Sequence, residues 1–176
     1  TPHSVFAQDV IHGLTHTPKR LPSKYFYDEN GDRLFQEIMA MPEYYLTDAE
    51  TEIFELHKDQ LLEVLGREPF DLIELGAGDG TKTKILLRHF LDHGARFRYR
   101  PIDISGNVLL HLENDLRDGL PNLTVDSLQG DYFDVLSQLS GQEMRKVILF
   151  LGGNIGNFNV RDATDFLRQL GEQLDP

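Results

Sequence analysis

Leu72-Ile-Glu-Leu-Gly-Ala-Gly-Asp-Gly-Thr-Lys-Thr-Lys84 is the stretch on which the fold turns. A strand pattern from Phe70 to Leu75, apolar at Phe70, Leu72, Ile73 and Leu75, breaks into three alternate glycines, Gly76, Gly78 and Gly80. Apolar residues then recur at helical spacing: Leu86, Leu87, Phe90 and Leu91. Strand, glycine-rich turn and helix in that order open a nucleotide-binding α/β sheet. Glycine lets the backbone turn sharply and approach a ligand closely, and the start of the helix offers N–H groups without intrahelical partners.

Three chemistries use such a turn. A phosphate-binding P-loop requires G-x-x-x-x-G-K-[ST]; Gly76, Lys82 and Thr83 come near it, but position 81 is Thr. Dinucleotide binding by an NAD-dependent oxidoreductase requires G-x-G-x-x-G, and here the third glycine comes one residue early. The form [DE]-x-G-x-G-x-G, with Glu74 at the strand end, resembles the first motif of Rossmann-like S-adenosylmethionine methyltransferases. A tight structural turn is the plainer alternative for any single loop of this kind.

Working outward, the N-terminal third reads as mainly helical. Residues 1–22 carry no strong period, and Thr17-Pro-Lys-Arg-Leu-Pro22 is a loop with two φ-locked prolines. Tyr25, Phe26 and Tyr27 precede a turn signal ending at Gly31, and Leu34, Phe35, Ile38 and Met39 follow at helical spacing until Met41-Pro42 stops the helix. Thr47-Asp-Ala-Glu50 reads as a capping box, and the helix it opens places Ile53, Phe54, Leu61 and Leu65 on one side and ends at Gly66. This divides the chain into an N-terminal helical region, residues 1–66, and a Rossmann-like domain, residues 67–176.

Beyond the glycine turn the pattern alternates. Strands are predicted at Phe70–Leu75, Arg98–Ile104, Leu123–Val125 and Lys146–Leu151, the last continuously apolar, as a strand covered on both faces should be. Helical faces lie between them near 81–93 and over Val108, Leu109, Leu112 and Leu116; Ala163, Phe166, Leu167 and Leu170 form the last. Four βα units in a row predict a parallel sheet with right-handed crossovers. Such sheets usually continue with further strands, so the chain reads as the front part of a longer protein.

The composition narrows the partners. A chain of 176 residues with 40% apolar and 26% charged content can bury a real core. Its net charge of −12 opposes a phosphate backbone, and no basic patch offsets it, so nucleic acid is not an expected partner. The longest apolar run, Val147 to Leu151, is too short for a membrane span. The absence of cysteine excludes disulfides and thiolate metal sites and accords with a cytoplasmic setting.

In an open α/β sheet, ligands bind beyond the carboxyl ends of the strands. Asp103 ends the second strand, where a carboxylate accepts from both hydroxyls of a ribose; capping the next helix is its plainer role, with Ser105 the competing cap. Asp131 follows the third strand, where it can take an adenine amine while Tyr132 or Phe133 covers the ring; a turn Asp beside core aromatics is the alternative. Lys82 either holds the carboxylate of a methionine moiety or is a solvated helix lysine. Gly152-Gly-Asn154-Ile-Gly-Asn157 lies where a transferred group would sit, and an Asn amide can accept from a neutral amine without protonating it; loop formation is the other use of such residues. Tyr44 and Tyr45 either close over a substrate carboxylate or plug the helix–sheet junction. His89 and His93 have metal-pair spacing, but no third ligand is evident and no metal is expected.

Four segments together resemble one family: Pro18-Lys-Arg-Leu-Pro-Ser-Lys-Tyr-Phe-Tyr-Asp-Glu-Asn-Gly-Asp-Arg-Leu-Phe35, Pro42-Glu-Tyr-Tyr-Leu-Thr47, Glu74-Leu-Gly-Ala-Gly-Asp-Gly-Thr-Lys-Thr83 and Phe150-Leu-Gly-Gly-Asn-Ile-Gly-Asn157. In order and spacing they are similar to the histidine-specific S-adenosylmethionine-dependent methyltransferases, whose best-known members trimethylate the α-amine of histidine in ergothioneine biosynthesis. The resemblance implies a class I-like fold. It places Glu74, Gly76, Gly78, Gly80, Lys82, Asp103, Asp131 and Tyr132 at S-adenosylmethionine, and Tyr44, Tyr45, Asn154 and Asn157 at a small amino-acid substrate, with Tyr25 or Tyr27 in the same pocket. Asn157 and Tyr45 are the residues expected nearest the reacting amine. Where the histidine enzymes commonly carry Thr or Ser, this loop has Asn154, a departure that bears on the acceptor. A non-catalytic cofactor- or partner-binding module is the alternative from another class.

Overall fold

The computed structural model describes residues 4–131, 135 and 144–174. Its centre is β1 (Phe70–Leu75), in which all six residues are buried. On one side β1 pairs in parallel with β2 (Phe97–Asp103), setting Phe70 opposite Phe97 and Leu75 opposite Ile102. On the other it pairs in parallel with β5 (Arg145–Phe150), setting Leu75 opposite Phe150. The predicted third strand is two short pieces, β3 (Thr124–Val125) and β4 (Leu128–Gln129), both parallel to β2. The path β3-β2-β1-β5 places the first strand at the centre, so the chain reverses direction across the sheet there. That is the switch point at which open α/β sheets form a crevice.

Helices cover both faces. On one, α3 (Leu46–Leu65), α4 (Thr83–Asp92) and α5 (Gly106–Gly119) bring Phe54, Leu86, Leu87, Phe90, Leu112 and Leu116 onto Phe70, Leu72 and Tyr99. On the other, α6 (Val160–Gln173) packs Phe166 and Leu170 on Ile73, Leu75 and Ile102. Along β5, Val147 and Leu149 join the first cluster while Ile148 and Phe150 join the second, so both faces of this strand are covered as its apolar run predicts. It stays only partly buried because its outer edge meets no strand among the described residues.

The N-terminal region departs from the periodicity at several points. An unpredicted helix, α1 (Val5–Thr15), is capped by Ser4, whose side chain accepts from Ala7 N. Its apolar residues Val5, Phe6, Ile11 and Leu14 remain exposed. It is anchored by Gly13, buried against the carbonyl of Arg20, where a Cβ would collide with backbone, and by Asp9, which holds Lys24 and Tyr25. The expected turn at Asp28–Gly31 is instead the start of α2 (Glu29–Met39), with the Asp28 carboxylate accepting from Gly31 N at 2.8 Å. The capping box at Thr47–Glu50 does not form: α3 already begins at Leu46 without a side-chain cap, and Glu50 has other partners. On α3 and α6, Ile53, Leu61 and Leu167 are exposed, so the buried stripes are narrower than the spacing predicts. No helix among the described residues is long and apolar enough to cross a membrane.

Candidate active site

The glycine turn is tied down before any ligand arrives. Gly76, Gly78 and Gly80 all have positive φ, 73°, 58° and 65°. Gly76 N and Ala77 N donate to Ile102 O at 2.8 and 3.1 Å, and Gly78 N donates to Asp103 Oδ2 at 3.0 Å. The loop therefore folds over the end of β2 and offers its surface, while these N–H groups are spent within the protein. The three glycines differ in use. Gly76 and Gly78 line the cleft, whereas Gly80 lies outside it, and a Cβ there would meet Leu112 Cδ1 of α5 at 2.5 Å.

Beneath the turn, Glu74 is 2% exposed and accepts from the hydroxyls of Thr83, at 2.7 Å, and Tyr99. Burial pushes its carboxyl up to about 7, against the lowering effect of the Tyr99 and Thr83 hydrogen bonds and the nearby Lys82 charge. The same burial, with the Glu74 charge beside it, raises the Tyr99 phenol well above its ordinary value. Glu74 thus joins the strand end to the first turn of α4 at the wall of the cleft.

Asp103 spans two loops. One carboxylate oxygen takes Gly78 N and the other takes Ser105 N, each at 3.0 Å. The cap of α5 is Ser105, whose hydroxyl accepts from Val108 N, so Asp103 is left at the cleft. Desolvation raises its carboxyl above the usual range despite those backbone hydrogen bonds.

Lys82 is neither solvated nor free. Its ammonium is ion-paired with Glu50 of α3, and the second Glu50 oxygen accepts from Gly152 N at 2.8 Å. Sequence reasoning missed Glu50 as a member of the site because Thr47 and Glu50 stand at capping-box spacing.

The cleft, about 800 Å³, runs between the strand ends and the N-terminal helices. Of the sequence-derived residues, Tyr27, Tyr44, Glu74, Gly76, Gly78, Lys82, Asp103, Asp131, Asn154 and Asn157 line it. Tyr27 and Tyr44 flank Phe35 in edge-to-face contacts, with centroids 6.4 and 5.9 Å apart. Burial and the neighbouring Asp103 charge raise the Tyr27 phenol, keeping it a neutral donor. Asn154 and Asn157 sit on the 3-10 turn Asn154–Asn157 above β5, and neither amide has a protein partner among the described residues. Two tyrosines do not reach the cleft. Tyr25 turns toward α1 and donates to Asp9 at 2.6 Å, and Tyr45, at the start of α3, is 68% exposed. Tyr132 and Phe133 lie outside the described residues. Carboxyl side chains dominate the lining: Asp9, Asp32, Glu74, Asp79, Asp103, Asp131 and Asp162 stand against Arg20, Lys24 and Lys82. Such a cleft attracts a cation and repels a pyrophosphate.

Residues 6–176 match the family described as histidine-specific methyltransferase, SAM-dependent. The chain belongs to that family. Histidine N-alpha-methyltransferase of Mycolicibacterium smegmatis is 34% identical over 169 residues, covering 96% of this chain and 52% of the relative. The protein of the same name from Mycobacterium tuberculosis is 32% identical, covering 99% and 53%. Ergothioneine biosynthesis protein 1 of Schizosaccharomyces pombe is 34% identical, covering 89% and 21%. The chain thus spans about half the length of the histidine methyltransferases it matches. Among solved structures, an S-adenosyl-L-methionine-dependent methyltransferase from Methanococcus maripaludis is similar with a TM-score of 0.53 at 17% identity, covering 81% of this chain and 58% of that one. At that identity the likeness concerns the fold alone, a Rossmann-like methyltransferase sheet.

Proposed function

We propose that this family member binds S-adenosylmethionine at the glycine turn and serves N-methylation of an amino-acid α-amine, histidine first among acceptors. The observation that carries the reading is one cleft containing Asp103, hydrogen-bonded to Gly78, together with the amides of Asn154 and Asn157, which have no protein partner among the described residues. Asp103 and Asp131 would hold the nucleoside. The acidic lining suits a ligand whose sulfonium and ammonium groups are cationic. When bound, that cofactor supplies an electrophilic methyl group on sulfur. The protein's share is positioning, which can account for most of such a rate enhancement. Asn157 would accept from the neutral amine and so aim its lone pair, while Tyr27 and Tyr44 would donate to the carboxylate. The N-terminal helical region would thereby contribute to the substrate pocket. The two mycobacterial relatives, both named histidine N-alpha-methyltransferase, support histidine as the first acceptor to test.

The test is calorimetric titration of the chain with S-adenosylhomocysteine, then of the saturated complex with histidine. We expect saturable binding in both steps. A flat first titration overturns the cofactor assignment, and a flat second one overturns the acceptor assignment.

A further inference from the structure

Away from the cleft, helices α3 and α4 pack side by side. Three metal-type donors converge there. His89 and His93 stand one turn apart along α4, and Asp59 reaches across from α3. One ligand atom from each lies within 4.8 Å of the others, and the two imidazole centroids are 4.1 Å apart.

His89 is the anchor. It is 9% exposed, and its Nε2 is buried without a hydrogen-bond partner. Asp59 Oδ1 is 3.0 Å from that nitrogen, close enough for an ionic contact but not in hydrogen-bonding geometry. A buried polar atom in this state asks for a cation or a proton between it and the carboxylate. His93 favours the cation. Its Nδ1 lies 2.8 Å from His89 O, and a carbonyl can only accept, so Nδ1 is the donor there and Nε2 is the nitrogen left to face a ligand. Ligating histidines are commonly oriented by a contact of this kind on the other ring nitrogen.

We propose that Asp59, His89 and His93 form a binding site for a borderline divalent transition-metal ion, zinc first, which staples α3 to α4. Two imidazoles and one carboxylate form a three-ligand set that zinc accepts, with a water completing a tetrahedron. Zinc–nitrogen bonds of about 2.0–2.1 Å put tetrahedral ligands about 3.3 Å apart. The donors therefore need to close only modestly, and the exposed side chain of Asp59 can make most of that movement toward His89 and His93. The molecule carries its own control. His12 and His16 on and after α1 repeat the spacing, the 4.1 Å ring separation and the Nδ1 contact to a backbone carbonyl, but no carboxylate completes a group of three there among the described residues.

The experiment is titration of the chelator-stripped, dialysed chain with zinc chloride near neutral pH, followed by calorimetry, with a parallel thermal melt. The expected result is one saturable site and a higher melting temperature with zinc. His93→Ala and Asp59→Asn, both at exposed positions, should each weaken binding roughly tenfold or more and abolish the thermal shift. His16→Ala should leave both unchanged. Absence of saturable binding, binding that survives His93→Ala, or binding lost in His16→Ala overturns the proposal. The readout is independent of the cofactor cleft, so its failure leaves the proposed function standing.

Discussion

Glu50 accepts the backbone N–H of Gly152 at 2.8 Å with one carboxylate oxygen while the other holds Lys82. One side chain from α3 therefore sets both the loop above β5 and the lysine at the start of α4. The geometry pins two cleft walls that belong to distant parts of the chain.

Removing that clamp should be measurable as coupling. In a double-mutant cycle of Glu50→Gln and Lys82→Met, followed by urea denaturation, we expect about 1 kcal/mol of interaction, since the pair is only partly exposed. Glu50→Gln should also weaken S-adenosylhomocysteine binding. Strict additivity would show that the clamp is incidental.

Gly78 and Gly80 should separate function from packing. Alanine at either position accepts a left-handed conformation at a cost of about 1–2 kcal/mol. Gly80→Ala must also push Leu112 aside, adding about 1–3 kcal/mol, whereas the space around a Cβ at Gly78 is open. Gly80→Ala should be the less stable variant in urea, and Gly78→Ala the poorer binder of S-adenosylhomocysteine. The reverse order in either measurement contradicts this division of labour.

Asp103→Ala releases the Gly78 and Ser105 N–H groups together with the proposed ribose contact. Cofactor affinity should fall by about 1.5–3 kcal/mol, the range for hydrogen bonds to a charged group. Calorimetry reads this directly, and an unchanged dissociation constant would remove Asp103 from the site.

Glu74 should make stability depend on pH. Its folded carboxyl is raised from the ordinary 4.5 to about 7, chiefly by burial, so the folded state holds the proton more tightly than the unfolded one. The stabilising contribution is therefore complete below about 4.5 and is lost as pH rises through about 7. Melting temperatures taken from about pH 5 to 8 should fall more steeply for the native chain than for Glu74→Gln, which has no carboxyl to titrate. Parallel curves for the two proteins would refute the assignment.

Much of this was written locally. The strand–glycine–helix turn, the parallel βα order and the place of Asp103 at a strand end follow from periodicity and from glycine's access to positive φ, which act over a few residues. Four motifs in order were enough to indicate the family that the matched residues show. Tertiary packing decided the rest. Thr47 to Glu50 has the spacing of a helix cap, yet Glu50 finds its partners 32 and 102 positions away, because α3 lies over the strand ends. Of two adjacent tyrosines, Tyr44 lines the cleft and Tyr45 faces solvent at the start of α3; Tyr25 and Tyr27 part similarly as the chain leaves a short 3-10 turn. Asp59 meets His89 only because two helices pack together. Sequence spacing sets which way a segment folds, but which side chains meet across a cleft depends on elements brought together from far along the chain, and no local period records that distance.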